Sequence, residues 1–134
     1  MFAFLAAIAL AAAPSASIAG DWINQDRSAL IRVAPCGSQL CGTVVRVLAR
    51  GRNVPATDVN NSDPRLRSRP LVGLRVLSGF TRSGSGARWT GGRAYDPKSG
   101  KSYRSTLDLN PDRTLKVTGC VFFICRSQIW TRAN

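Results

Sequence analysis

Beyond residue 20, apolar and polar positions alternate with a period of two, and no stretch sustains helical spacing. The alternation predicts strands near Asp21–Asn24, Ala29–Ala34, Gly42–Leu48, Val72–Thr81, Arg88–Tyr95, Ser102–Leu109, Thr114–Gly119 and Arg126–Arg132. Three of them read most plainly. Val72, Leu74, Val76 and Phe80 share one face, opposite Gly73, Arg75 and Gly79. Tyr103, Leu107 and Leu109 oppose Arg104, Thr106 and Asp108, and Leu115 and Val117 oppose Lys116 and Thr118. Half-buried antiparallel strands have this pattern, because successive side chains point to opposite faces of a sheet.

Turn chemistry separates the strands. Asp96-Pro97-Lys98-Ser99-Gly100 and Asn110-Pro111-Asp112 join neighbours. Ser83-Gly84-Ser85-Gly86 reads as a hairpin loop, without the strand-then-helix setting of a phosphate loop. The connection from Ala49 to Pro70 is far longer than a hairpin turn needs. Inside it, Ser62-Asp63-Pro64 is placed to cap one helical turn running through Arg67, with Pro64 in its first position. Such a loop serves either as a lid or as a structural crossover. Eight short strands in one domain predict an all-β fold, a small antiparallel barrel or a sandwich. An eight-stranded barrel has an interior just wide enough for side chains or for one small ligand.

The pattern changes at the start of the chain. Phe2 to Ala13 is an unbroken apolar run that stops at Pro14, too short to span a hydrocarbon core. It matches the central region of a secretory signal, and Ser17-Ile18-Ala19 offers small residues where a signal peptidase reads. The expected organisation is a signal peptide over 1–19 and a single barrel domain over 20–134, with no transmembrane span after the signal is removed. No Lys or Arg precedes Arg27, so the usual positive start of a signal is missing.

Cysteines fit that picture. They occur as Cys36-x4-Cys41 and Cys120-x4-Cys125, wider than a zinc knuckle wants, in a compartment expected to be oxidising. Three disulfide pairings are open. Cys36–Cys41 and Cys120–Cys125 are favoured because each pair flanks a hairpin turn, although the cross-pairings would close longer loops and stabilise more.

Charge narrows the function classes. The chain of 134 residues carries a formal net charge of +12, with 19 Lys and Arg against 7 acids, all of them Asp, and no His. Without His, Ser-His-Asp and Cys-His catalysis are excluded within this chain. The Asp residues sit largely at turns, where turn formation accounts for them. No catalytic residue, metal ligand or cofactor is therefore expected. From Arg65 to Tyr95 there are seven Arg and no acid, a field that draws anions. Arg65, Arg67, Arg69 and Arg75 are the candidate anion-binding residues. Nucleic acid is a poor fit, since Trp22, Trp89 and Trp130 lie in strand positions suited to packing.

Several stretches together resemble a bacterial family of small exported proteins known as domain of unknown function 2147. They are Gly20-Asp21-Trp22, Pro35-Cys36-Gly37, Leu40-Cys41-Gly42 and Leu66-Arg67-Ser68-Arg69-Pro70-Leu71-Val72-Gly73, then Trp89-Thr90-Gly91-Gly92 and Tyr95-Asp96-Pro97. Gly100-Lys101-Ser102-Tyr103, Gly119-Cys120, Cys125-Arg126 and Trp130-Thr131-Arg132 complete the series. The resemblance implies export and fold more than activity. A looser likeness is to lipocalins and their calycin relatives, whose Gly-x-Trp on the first strand and Arg near the end of the last correspond to Gly20, Trp22 and Arg132. In those barrels the Arg stacks on the Trp and closes the base, which here predicts a barrel rather than a sandwich.

The expected function is non-enzymatic: a periplasmic or secreted barrel that binds a small apolar, lipid-like or amphipathic molecule, or an anionic envelope component. Val45, Val47, Leu74, Val76, Tyr103, Leu107 and Val117 are the candidate ligand-lining residues. The alternative is an interaction module whose cationic face docks an acidic protein.

Overall fold

The computed structural model describes residue 3 and residues 17–48, 55–84 and 86–133. Most of the apolar run Phe2–Ala13 and residues 49–54, which open the long connection, lie outside the described residues. Eight strands form one closed antiparallel barrel in sequential order: β1 (Gly20–Ile23), β2 (Ala29–Cys36), β3 (Gln39–Val47), β4 (Arg75–Arg82), β5 (Arg88–Asp96), β6 (Lys101–Leu109), β7 (Leu115–Val121) and β8 (Ile124–Arg132). Closure comes from β1 pairing with β8, Trp22 opposite Arg132 and Ile23 opposite Thr131. A closed sheet leaves no unpaired edge.

An up-and-down barrel sends its connections alternately to two ends. At one end lie the β2–β3, β4–β5 and β6–β7 turns with Ser17–Gly20. At the other lie the β1–β2, β5–β6 and β7–β8 turns and the long β3–β4 connection. The first end is packed solid: Ile18, Trp22, Phe80, Trp89, Leu107 and Leu115 are all buried in one cluster. Arg132 closes it. Its guanidinium lies 4.2 Å from the Trp22 ring centroid and donates to the Ala19 carbonyl (2.9 Å) and the Ser17 carbonyl (3.2 Å). Trp22 Nε1 donates in turn to the Ile18 carbonyl at 2.9 Å. Gly20 must be glycine on two counts: its φ is +128°, and a β-carbon there would stand 2.9 Å from Arg132 Nη1.

The two disulfides are Cys36–Cys41 and Cys120–Cys125, each across its own hairpin. The fourth strand begins later than alternation predicts. Val72 is 55 % exposed, outside the strand, and Gly73 has φ +89°. Val44 and Leu74 nevertheless tie this segment to β3, through Val44 N–H to Leu74 C=O and Gly73 N–H to Val44 C=O. In the long connection, Asp63 caps a single 3-10 turn at Pro64–Leu66, its carboxylate accepting from Arg65 N–H at 3.0 Å, as the Ser62-Asp63-Pro64 pattern predicts.

Candidate functional site

Above the packed end the barrel is hollow. A cavity of about 1020 Å³ opens at the other end, the upper limit of the 300–1,000 Å³ usual for small-molecule sites. Its walls are apolar and mostly small or branched: Ile31, Val44, Val47, Val76, Leu77, Ala94 and Val117, with Leu71 and Trp130. Tyr95 and Tyr103 are among its polar lining groups. The rim is polar and charged, with Asn24, Asp26, Arg27, Lys98, Arg126 and Gln128.

Of the predicted lining residues, Val47, Val76, Tyr103 and Val117 reach this cavity. Val45 does not, for a definite reason. The β2–β3 register runs Ala29 to Val47 and Leu30 to Arg46, then shifts so that Ile31 faces Val44. Val45 is the extra residue of a bulge, and the bulge turns Val44 inward in its place. Leu107 is fully buried in the core cluster, and Leu74 packs half-buried against that cluster; neither lines the cavity. Leu77, absent from the expectation, lies on the wall because Gly42 opposite leaves it room; a β-carbon on Gly42 would stand 2.9 Å from Leu77 Cδ1.

The predicted anion-binding arginines lie elsewhere. Arg65 pairs with Asp63 (Nη2 to Oδ2, 3.0 Å), Arg67 Nε donates to the Asn61 carbonyl, and Arg69 Nε donates to Asp58 at 2.9 Å. Arg75 is exposed at the start of β4. None of the four lines the cavity. The cations that do are Arg27, Lys98 and Arg126, from three different turns and strands. Lys98 pairs with Asp26, bridging the β5–β6 turn to the β1–β2 turn. Arg126 occupies the same β8 face as Trp130, four residues along, so it stands over the mouth while the indole lies deeper.

The long connection is held beside the mouth by a buried polar network. Asp58 is fully buried and accepts from Tyr95 Oη (2.6 Å), Asn61 Nδ2 (2.9 Å) and Arg69 Nε (2.9 Å). Arg69 also lies over the Tyr95 ring, 5.5 Å from its centroid. Burial pushes the Asp58 carboxyl up, but the hydrogen bonds from Tyr95, Asn61 and Arg69 and the Arg69 charge outweigh it, so its pKa falls below the ordinary range. Burial, then the bond to Asp58, raises that of Tyr95. A β-carbon on Gly100 would collide with the Asn60 carbonyl, so the loop rests directly on the β5–β6 turn. Nothing in the sequence around Asp58 distinguishes it from a turn aspartate.

Among the described residues, no three His, Cys, Asp or Glu side chains converge as a metal site would require, and no helix is long and apolar enough to cross a membrane. Among functionally curated proteins, none matches the sequence significantly. Among solved structures the fold is similar to that of protein HP1028 from Helicobacter pylori, described as belonging to the lipocalin family, with TM-score 0.75 at 20% identity over 88% of this chain and 84% of that one. The stacked Arg132 on Trp22 and the eight-stranded closure agree with that fold. A family profile described as an uncharacterized protein conserved in bacteria, DUF2147, matches residues 20–132, and the chain belongs to that family.

Proposed function

We propose that this protein is a non-enzymatic, extracytoplasmic binder of one small amphipathic molecule, its apolar body in the barrel and its anionic head at the rim. The cavity carries this reading: about 1020 Å³ of largely apolar space, open at one end, with cations at the opening. Apolar walls without convergent catalytic groups favour partition over chemistry, and burial there yields roughly 25 cal/mol per Å² of apolar ligand surface. Arg126 and Arg27 are the head-group candidates, since neither forms an ion pair with a carboxylate among the described residues. Two hairpin disulfides are what an oxidising compartment permits, which supports periplasmic or secreted placement behind an N-terminal leader.

The test combines native mass spectrometry of protein purified from its own host with titration by anilinonaphthalene sulfonate, an apolar anion that fluoresces out of water. The expected result is a lipid-sized adduct on the native protein and one probe bound per barrel. Ala94→Trp, which fills the cavity wall, should abolish probe binding. Arg126→Gln should weaken it about tenfold, the worth of a charge-assisted hydrogen bond. A bare mass together with probe binding indifferent to Ala94→Trp would remove the reading.

A further inference from the structure

The β7–β8 hairpin ends in Val121-Phe122-Phe123-Ile124, and the structure holds these side chains out into solvent. Their exposures are 46%, 79%, 95% and 70%. Folding alone gives no reason for this. Phe122 sits first in a two-residue turn with φ +54°, where hairpins ordinarily use glycine or asparagine. The tip is also rigid: Cys120–Cys125 staples its base, and Arg104 Nη2 donates to the Phe122 carbonyl at 3.1 Å. Conformational entropy has already been removed from a cluster that buries almost nothing within its own chain.

We propose that this tip is a membrane anchor that seats the open end of the barrel on an anionic lipid surface. Charge identifies the occupant. Near the tip, strands β7 and β8 carry Arg126 and no carboxylate. At this end Asp26, Asp58 and Asp63 are each paired, with Lys98, Arg69 and Arg65, and Asp96 accepts from the Lys98 backbone N–H without an ion pair among the described residues. Arg27, Arg104 and Arg126 form no ion pair among the described residues. Aromatic and aliphatic groups at the turn, with Arg104 beside Cys120 and Arg126 two residues past Ile124, match the layers of an anionic bilayer, with acyl boundary below and phosphates above. A second copy docking tip to tip would bring Arg104 and Arg126 against their own counterparts, a like-charge encounter. Position supplies a further argument. Val121, Phe122 and Ile124 also line the cavity mouth, so seating the tip brings the opening to the lipid surface. The anchor does not depend on what the cavity holds.

Flotation of the full chain with vesicles tests this. Vesicles of phosphatidylethanolamine containing phosphatidylglycerol should carry the protein, and vesicles of phosphatidylcholine should not. Phe123→Ser should lower affinity about tenfold by removing one inserted aromatic, and high salt should release the protein. Arg104→Gln should weaken binding to the anionic vesicles. Phe123 does not line the cavity, so anilinonaphthalene sulfonate titration of Phe123→Ser should match the wild type and separate failure of the anchor from failure of the cavity reading. Absence of vesicle binding, binding unchanged in Phe123→Ser, or concentration-dependent dimers that Phe123→Ser dissolves would overturn the proposal.

Discussion

Replacing Asp58 with Asn isolates the network that fixes the long connection. The amide is nearly isosteric with the carboxylate, so packing is preserved while charge and one acceptor are lost. In the native protein Arg69 Nε and Asn61 Nδ2 both donate to Oδ2, and Tyr95 donates to Oδ1. The amide oxygen can serve the first pair, which leaves an NH2 facing the Tyr95 hydroxyl. Three bonds to a charged acceptor, each worth about 1.5–3 kcal/mol, become one bond in which only the Arg69 donor is charged, one neutral bond of about 0.5–1.5 kcal/mol from Asn61, and one reversed contact. Arg69 is 35% exposed and recovers part of its hydration, which reduces the loss. The expected cost of Asp58→Asn is about 2–3 kcal/mol at neutral pH, read from urea unfolding with Tyr95→Phe as the second arm of a double-mutant cycle.

pH supplies an independent reading. Because the folded pKa of Asp58 is depressed, its contribution is present above the unfolded carboxylate value of about 3.9 and is lost as pH falls through the folded one. Tyr95, with a raised pKa, sets the alkaline limit: its contribution holds below the unfolded value of about 10 and is lost as pH rises through the folded one. The stability difference between wild type and Asp58→Asn should therefore be flat near neutrality and shrink in acid. A penalty under about 0.5 kcal/mol, with hydrogen exchange in the loop unchanged, would refute the network's role. So would a full-sized penalty that persists undiminished at low pH.

Three further outcomes follow from the packed end and the barrel wall. Gly92→Ala would put a methyl 2.5 Å from the Phe80 ring, and thermal unfolding should show a loss of about 1–3 kcal/mol from overpacking. Arg132→Ala removes the stack on Trp22 and two bonds to the Ser17–Ala19 strand entry; a loss of about 1–2 kcal/mol with a shifted tryptophan emission is expected. Intact-mass measurement of protein recovered from its host should find Ile18 retained, with any cleavage upstream of it rather than after Ala19, because that residue is fully buried and its loss would cost about 2–5 kcal/mol, comparable to Ile→Ala in a core.

The strands were legible because their cause is local. Period-two alternation, Pro- and Gly-bearing turns and two cysteine pairs across predicted hairpins each report on a few neighbouring residues and agree with an antiparallel sheet, whereas its closure was legible only through the lipocalin resemblance at Gly20, Trp22 and Arg132. The Ser62-Asp63-Pro64 cap is local too, and was legible. Facing was less so, since one unpaired residue reverses it: the bulge at Val45 exchanges Val45 for Val44, and no propensity marks where a bulge falls. The rim was the least legible. Arg65, Arg67 and Arg69 stand out as a run, yet loop partners engage all three, whereas Arg27, Lys98 and Arg126 converge only through closure of the sheet. The exposed tip did leave a mark. Four consecutive apolar residues between cysteines five apart cannot all turn inward across a two-residue hairpin.

The hollow itself follows from the order of side-chain sizes along the barrel axis. Around the closed end, Trp22, Phe80, Trp89, Leu107 and Leu115 reach the axis and fill it, and Gly92 is bare so that the Phe80 ring can lie across its backbone. Nearer the mouth the inward positions include Ala29, Val44, Val47, Val76, Ala94 and Val117, which are too short to meet at the centre. Enlarging one of these would fill space rather than create strain, whereas trimming the aromatic end would remove contacts that hold the sheet closed. The aromatic plug and the cavity thus lie at opposite ends of one sheet, and Ile31, Val44, Val76, Leu77, Val117 and Trp130 serve both the buried core and the cavity wall. The rim is therefore free to carry unpaired arginines and an exposed Phe-Phe turn, because closure of the barrel is secured at the opposite end by Arg132, Trp22 and Ile18.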